Sequence, residues 1–116
     1  MGERVFKILT GPQWALWVEQ GVSLGSPADW RDGFIHFSAA HQVSRTLAKH
    51  FDADHRLWLV EADEYCLGMA LRWEAASNGQ LYPHLYAPFH RWQAIRDWPL
   101  ARSAAGQWPL PEGLIP

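Results

Sequence analysis

This sequence of 116 residues contains little cysteine, no long apolar run and no excess of positive charge. The single cysteine, Cys66, excludes a disulfide within the chain, and a thiolate metal cluster would require several chains. No stretch approaches the roughly 20 apolar residues that span a bilayer, and the N-terminal segment lacks the apolar run of a signal peptide. We therefore expect a cytoplasmic protein with no disulfide, no metal and no membrane span.

The charge balance disfavours generic DNA binding. Ten Lys and Arg residues face twelve Asp and Glu residues, for a net charge of -2, so no global basic field is available to hold nucleic-acid phosphates. A local basic cleft stays open, because net charge describes the whole molecule and not one surface. The sequence also lacks the glycine-rich loops of nucleoside triphosphatases and dehydrogenases and the histidine spacing of zinc hydrolases.

Length and composition predict one domain over residues 1–116, since a hydrophobic content of 48% is enough to fill a single core. Eight tryptophans are many for this length, and each ring is either packed or used as a contact surface. Core packing is the ordinary explanation. The alternative is that a ring such as Trp73 or Trp92 lies beside a ligand, because aromatic faces stack on nucleobases and nicotinamide-like rings.

The first part of the chain predicts a strand, a capped helix and a loop. Residues 4–9 mix β-forming residues with charge and predict the strand. Thr10 and Gln13 have capping-box spacing, and the helix should end at Gly21. Its buried side is expected to carry Trp14, Trp17 and Val18. Residues 23–33 are rich in Gly, Pro and Asp, and we expect them to form a loop that borders a site.

The middle of the chain predicts a short strand, an amphipathic helix and a buried strand. Residues 34–37 form the short strand, and Ser38 is placed to cap the helix. Apolar residues recur every four positions along that helix, at Ala39, Val43, Leu47 and Phe51. The run at residues 57–60 is apolar on both faces, which predicts a central strand.

The remaining elements complete an α+β fold with two principal helices on a mainly antiparallel sheet. Strands are predicted at residues 69–74 and 82–86, with a turn at Asn78 and Gly79 between them. A further strand at residues 94–98 is expected to stop at Pro99, and the proline-rich tail from 108 to 116 predicts no regular structure.

Polar residues alternate with apolar ones on three predicted strands. Side chains alternate across a strand, so each of these strands places a polar pair on one face. The pairs are His36 with Ser38, Arg72 with Glu74, and His84 with Tyr86. If the three faces meet in one cleft, it contains two imidazoles, a phenol, a hydroxyl, a guanidinium and a carboxylate.

Each of these residues also has a structural explanation. Ser38 suits a helix cap better than a reactive hydroxyl, although a cap does not exclude a ligand contact. His36 and His84 are either core histidines bound to backbone carbonyls or parts of a site. Arg72 and Glu74, taken alone, are typical of an exposed surface pair.

The segments Gly33-Phe34-Ile35-His36-Phe37-Ser38, Trp73-Glu74 and Pro83-His84-Leu85-Tyr86 together resemble a small bacterial family catalogued as domain of unknown function 952. The resemblance covers nearly the whole chain. It implies a fold similar to the ADP-ribosyltransferases, with a split antiparallel sheet, and kinship with the transferase that removes an RNA 2′-phosphate.

The resemblance also implies roles for individual residues. In the transferases a strand histidine followed by a small hydroxyl residue holds the nicotinamide-side ribose of NAD, and His36 and Ser38 match that pattern. Phe37 stands where the transferases often have glycine. A carboxylate is needed to stabilise positive charge as the glycosidic bond breaks, and Glu74 is the candidate.

These observations lead to two hypotheses of different classes. The first is an NAD- or nucleotide-binding protein that transfers ADP-ribose. The second is a non-enzymatic module that binds a small molecule or a protein through an aromatic-rich cleft. The candidate catalytic residues are His36, Glu74 and His84, and the candidate ligand-binding residues are Ser38, Arg72, Trp73 and Tyr86.

Overall fold

The computed structural model describes residues 2–112 and 114. Three-residue 3-10 turns at Ala40–Gln42, Gly68–Ala70 and Arg91–Gln93 separate some of its elements. The helices are α1 (Gly11–Gln20), α2 (Pro27–Asp32), α3 (Val43–His50) and α4 (Glu64–Leu67). The strands are β1 (Arg4–Leu9), β2 (Val22–Ser23), β3 (Ile35–His36), β4 (Ser38–Ala39), β5 (Arg56–Asp63), β6 (Leu71–Ala75), β7 (Leu81–Leu85), β8 (Phe89–His90) and β9 (Ala94–Ala101).

The strands form antiparallel sheets, which confirms the α+β class. The largest sheet has the order β4-β1-β5-β9, and a second has the order β3-β7-β6. Strands β2 and β8 form a separate pair. The chain passes from the second sheet into the first at Phe37, whose backbone N–H donates to the carbonyl of Pro83 over 3.0 Å.

The four-stranded sheet is covered on both faces. Val5 and Val60 belong to one core cluster, with Trp17 of α1 and Leu85 of β7, whereas alternate residues of the same strands belong to a second cluster with Leu47 of α3. Burial on both faces is the reason that β5 is almost continuously apolar. The predicted central strand is confirmed, since β5 lies between β1 and β9.

The first helix forms where the sequence places it. Thr10 caps α1 and exchanges hydrogen bonds with Gln13, and Gly21 closes the helix in the left-handed conformation at φ 76°. A side chain at Gly21 would be strained there. Trp17 is buried, as expected, but the prediction that Val18 lies on the buried side is wrong, because Val18 is exposed. Val18 follows directly after Trp17 on the helix, so the two side chains lie on different faces.

Part of the expected loop at 23–33 is helical. Ser26 caps α2, accepting a hydrogen bond from the backbone N–H of Asp29 over 3.2 Å, while the Asp29 carboxylate accepts one from the N–H of Ser26 over 2.8 Å. Pro27 occupies the first turn, where its missing N–H costs nothing. Aspartate thus takes the place that glutamate or glutamine usually has in a capping box. The Gly, Pro and Asp content of this segment predicted a loop, and the helix was therefore missed.

Ser38 does not cap the helix that follows it. It lies in β4, opposite Phe6 of β1, and a 3-10 turn precedes α3. Of the residues that the structure describes, none caps α3 with its side chain; the amide oxygen of Gln42 instead accepts from the N–H of Ala39, before the 3-10 turn, over 2.9 Å. The expected helix face is otherwise confirmed: Val43 and Leu47 are buried.

The last strands differ from expectation mainly at their ends. Strands β6 and β7 pair across the turn that contains Gly79, which has a φ of 83°. Strand β9 continues through Pro99, where a stop was expected. A proline is tolerated there because, among the described residues, β9 is the edge strand of its sheet and pairs on one side only. The described residues of the tail, 108–112 and 114, contain no helix or strand.

Within the described part of the chain, no helix has the length and apolar character needed to cross a membrane.

Candidate functional site

A cavity of about 630 Å³ lies beside one face of the sheet β3-β7-β6. Helices α2 and α3 and strand β1 supply most of its other lining residues. This volume is within the range of sites that hold a nucleotide-sized ligand. His36, Ser38 and His84 are among the lining residues.

The strand register brings the two histidines together. His36 of β3 lies directly opposite His84 of β7, and their ring centroids are 5.7 Å apart. Arg72 of β6 lies opposite His84 on its other side, and Glu74 lies opposite Tyr82. The alternation predicted from the sequence therefore places His36, His84, Arg72 and Glu74 on one face of this sheet, whereas Ser38 belongs to β4 of the other sheet.

Phe34 forms an aromatic surface at this face. Its ring stacks on His84 with centroids 3.9 Å apart and planes inclined by 20°. The rings of His36 and Tyr86 lie 4.6 Å and 5.3 Å from the same phenylalanine. The imidazoles are thus held between an aromatic ring and the sheet.

Asp29 fixes His36 in place. One carboxylate oxygen, Oδ1, accepts hydrogen bonds from Nδ1 of His36 over 2.6 Å and from its backbone N–H over 3.1 Å. The other oxygen, Oδ2, lies 3.0 Å from Nζ of Lys7. Asp29 is 2% exposed, so one buried carboxylate joins α2 to β1 and β3.

The charge on this buried group is set by its partners. Burial raises the pKa of Asp29, but the hydrogen bond from His36, the charge of Lys7 and the N–H of Ser26 outweigh it and hold that pKa well below its usual range. Burial lowers the pKa of Lys7, and the nearby charge of Asp29 offsets part of that decrease. Asp29 therefore stays ionised in the folded protein.

A second carboxylate occupies the outer nitrogen of His36. Nε2 lies 3.0 Å from Oδ2 of Asp32. Asp32 is 37% exposed at the end of α2, whereas Asp29 is enclosed. An incoming ligand hydroxyl can therefore replace Asp32 at Nε2 without disturbing the buried contact at Nδ1.

Glu74 binds the other histidine. Its Oε1 lies 2.8 Å from Nδ1 of His84 and accepts a hydrogen bond from the hydroxyl of Tyr86 over 2.7 Å. The hydrogen bonds from Tyr86 and His84 lower the pKa of Glu74, and the bond to Glu74 raises the pKa of Tyr86. Arg72 lies over the Tyr86 ring, with its guanidinium carbon 4.9 Å from the centroid.

The predicted residues thus fall into three groups. His36, Ser38 and His84 line the cavity, while Glu74, Arg72 and Tyr86 lie on the same sheet face outside the lining. Trp73 lies on the opposite face, packs against the first core cluster and donates its indole N–H to Glu64 over 3.0 Å.

Ser38 is buried at the cavity wall. The hydroxyl oxygen of Ser38 lies 2.8 Å from the hydroxyl oxygen of Thr46. The Thr46 hydroxyl donates a hydrogen bond to the carbonyl of Gln42 over 3.1 Å. The Thr46 proton is used by that carbonyl, so Ser38 donates to Thr46 and keeps its lone pairs for other donors.

Sequence reasoning missed several lining residues. Lys7 belongs to β1, and Asp29 belongs to α2, which the sequence had predicted as a loop. Neither residue has a local sequence pattern that indicates its role. The further lining residues Arg31, Arg45, Lys49 and His50 come from α2 and α3, and the first three of them are cationic. The four-residue spacing of Arg45 and Lys49 was the available signal, because it places both on the face of α3 that is not buried.

The cavity therefore carries an excess of cations in a chain of net charge -2. Asp29 and Asp32 are the carboxylates of its lining, against the four cationic side chains of Lys7, Arg31, Arg45 and Lys49. Such an excess favours an anionic ligand. Across residues 2–112 and 114, no group of three or more His, Cys, Asp and Glu side chains is arranged to hold a metal ion.

The family model described as Protein of unknown function (DUF952) matches residues 8–96. This range includes both histidines, Asp29 and the cationic residues of α3. No curated protein matches the sequence.

Solved structures of a bacterial protein share this fold. An X-ray crystal structure of protein CC0527 from Caulobacter crescentus is 37% identical in sequence, with a TM-score of 0.89, and the alignment covers 96% of this chain and 97% of that one. A solution NMR structure of CC0527 is 38% identical, with a TM-score of 0.80 and a coverage of 89% of each chain.

Proposed function

The chain belongs to the DUF952 family, and from the lining of its cavity we propose that it binds NAD or a related nucleotide. The observation that carries this proposal is the cavity itself. Two imidazoles and an aromatic ring lie beside a set of cationic side chains in about 630 Å³. A dinucleotide offers what these groups bind, namely ribose hydroxyls, flat rings and negatively charged phosphates.

His36 is the proposed ribose contact. Asp29 fixes its ring at Nδ1, so Nε2 is the nitrogen that meets a ligand. There a ribose hydroxyl takes the place of the Asp32 carboxylate, which now lies 3.0 Å from Nε2. Ser38, buried beside the same cavity, is the matching hydroxyl contact.

The bulk of Phe37 is compatible with this proposal. Phe37 is 2% exposed, and its ring packs edge-on against Phe89 with centroids 5.1 Å apart. The core therefore accommodates the phenylalanine that stands where the transferases often have glycine. A nicotinamide or adenine ring can stack on the face of Phe34 that does not contact His84.

Transfer of ADP-ribose is the activity that goes with this ligand. The bond between ribose C1′ and the nicotinamide nitrogen breaks, the electron pair leaves with nicotinamide, and a nucleophile adds to C1′. The resemblance to ADP-ribosyltransferases, with a split antiparallel sheet, supports this proposal. Glu74, ionised and held by His84 and Tyr86, would stabilise the positive charge that develops on the ribose.

A non-enzymatic binding module is the second candidate, and the position of Glu74 favours it. Glu74 reaches the site through His84 but is not among the residues that line the cavity. If it stays apart from the ribose when ligand is bound, the transfer loses the carboxylate that is proposed to stabilise it.

Isothermal titration calorimetry with NAD and ADP-ribose tests the binding proposal. The wild type should bind both, and His36→Ala should weaken binding by about 2- to 10-fold, because one hydrogen bond is worth about 0.5–1.5 kcal/mol. His55→Ala is the matched control, since this exposed histidine is not among the cavity-lining residues. Absence of heat with both nucleotides at millimolar concentration would remove NAD binding and the role of His36 together.

Two further measurements separate the alternatives. Urea unfolding of His36→Ala without ligand measures what the contact with the buried Asp29 contributes to stability. The ring also serves the ligand if the variant stays folded and binds nucleotide more weakly than the wild type does. Release of nicotinamide from NAD by the wild type, abolished in Glu74→Gln, supports the transferase. Binding without any release of nicotinamide supports the module.

A further inference from the structure

Helix α3 presents one face to the cavity and the opposite face to the core. Arg45, Thr46, Lys49 and His50 line the cavity, whereas Val43 and Leu47 are buried against the four-stranded sheet. Spacings of one, four and five residues place the first set along one side of a helix. The buried face fixes this orientation, so the cationic side chains are directed to the cavity by the fold.

These α3 cations differ from the others of the cavity. Lys7 is paired with Asp29, and Arg31 with Asp32 at 3.2 Å. Among residues 2–112 and 114, no carboxylate lies within ion-pair distance of Arg45 or Lys49. Two positive charges one helical turn apart repel each other, and an anion between them removes that repulsion.

His50 lies within the field of Lys49, its neighbour on α3. Its pKa is lowered first by burial and then by the positive charges of Lys49, His36 and Arg31. The carboxylates of the cavity lie elsewhere, since Asp29 and Asp32 belong to α2 and contact His36. Lys7 and Arg31 offset these two carboxylates, so an anion that enters the cavity meets an excess of positive charge at the α3 side.

We propose that Arg45 and Lys49 form a phosphate-binding subsite on the α3 wall of the cavity. The guanidinium of Arg45 can contact two phosphate oxygens at once, and the ammonium of Lys49 supplies a point charge. The subsite rests on the same cavity as the proposed function and specifies which end of the ligand lies at α3. The phosphate belongs either to the diphosphate of a dinucleotide or to a phosphate monoester.

Inorganic pyrophosphate is the direct probe. Calorimetry at low ionic strength should show binding to the wild type, weakened about 10-fold or more in Arg45→Ala and in Lys49→Ala, because a hydrogen bond to a charged group is lost in each. Arg56→Ala removes the same charge from an exposed residue that does not line the cavity and should bind as the wild type does. Equal affinity in all four proteins, or no binding by the wild type, overturns the subsite.

A nuclear magnetic resonance titration supplies a local readout. Bound pyrophosphate should raise the pKa of His50, because the anion offsets the positive charges that lower it. In Arg45→Ala the same rise should require about 10-fold more pyrophosphate or higher, in line with the weaker binding. If binding leaves the His50 titration unchanged in the wild type, the anion lies elsewhere and the proposal is wrong.

A ligand series separates the two sources of phosphate and the two proposals. Nicotinamide riboside, nicotinamide mononucleotide and NAD differ in carrying no phosphate, a monoester and a diphosphate. Lys49→Ala should leave riboside binding unchanged and weaken the ligand whose phosphate the subsite holds. Pyrophosphate binding that depends on Arg45 without any NAD binding supports the subsite and contradicts the proposed function. If NAD binds with the same affinity to the wild type and to both α3 variants, the result supports the proposed function and contradicts the subsite.

Discussion

Asp29 organises the site at the scale of single residues. It is the common partner of Lys7 and His36, it is nearly inaccessible, and it takes part in the capping box of α2. A buried carboxylate of this kind is stable as a charge because each oxygen accepts several hydrogen bonds. Its removal leaves the buried ammonium of Lys7 without a counter-ion.

The first prediction is that Asp29→Asn lowers the free energy of unfolding by about 3 kcal/mol or more, the usual cost of breaking a buried ion pair by removing one partner. Urea denaturation measures the change. Asp32→Asn is the control, because this carboxylate is 37% exposed, and its effect should be within about 0.5 kcal/mol. Equal losses in both variants would mean that the Lys7 contact contributes no more than a surface pair.

The same carboxylate gives a pH dependence with a defined sign. Its pKa is lower in the folded chain than in the unfolded chain, so the unfolded chain takes up a proton first as the pH falls. The stabilisation is complete above the ordinary carboxyl range, near pH 4, and is lost below it. The difference in unfolding free energy between wild type and Asp29→Asn should therefore shrink as the pH falls from about 7 to about 3. A constant difference would contradict the assignment.

At the scale of elements, α3 connects stability with the cavity. Leu47 is 1% exposed and packs with Phe6 and Leu57 of the sheet. We expect Leu47→Ala to cost about 2–5 kcal/mol, since it leaves a cavity in the second core cluster. Ser44→Ala, exposed on the same helix, should change the unfolding free energy by less than about 0.5 kcal/mol. A loss below that value for Leu47→Ala would place the buried face elsewhere.

Helix α2 gives a second test at this scale. Ser26→Ala removes the side-chain acceptor for the N–H of Asp29 and should destabilise the protein by about 0.5–2 kcal/mol. It also loosens the helix that carries both carboxylate partners of His36. We therefore expect the His36 ring resonances to shift in nuclear magnetic resonance spectra of Ser26→Ala, but not in those of Ser44→Ala. An unchanged free energy of unfolding would show that the cap hydrogen bond makes no net contribution to stability.

At the scale of the whole molecule, both core clusters rest on the same two central strands. Val5 and Val60 contribute to one cluster, and Ile8 and Leu59 to the other. Loss of either cluster exposes strands that the other needs, so we expect one cooperative unfolding transition for the single domain predicted from the sequence. Urea transitions followed by tryptophan fluorescence and by far-UV circular dichroism should coincide. Separated midpoints would indicate two units.

Local signals in the sequence were sufficient for several elements. Thr10, Gln13 and Gly21 specify both ends of α1 within one short segment. The apolar period of α3 predicts its buried face, because helical geometry alone relates Val43 to Leu47. Strand alternation predicts that Arg72 and Glu74 share a face, since it depends only on neighbouring residues.

The tertiary structure decided which of those faces meet and what lies between them. Strand pairing joins β3 to β7 across a long stretch of sequence and sets His36 opposite His84, and no local pattern encodes that register. Docking of α2 brings Asp29 between His36 and Lys7, and the return of β4 to β1 takes Ser38 away from the helix cap it was expected to form. The sequence determined the α+β class, the buried face of α3 and the shared face of Arg72 and Glu74, because these follow from short-range geometry. The cationic cavity and its buried carboxylate depended on the tertiary structure, because their residues meet only after distant segments pack.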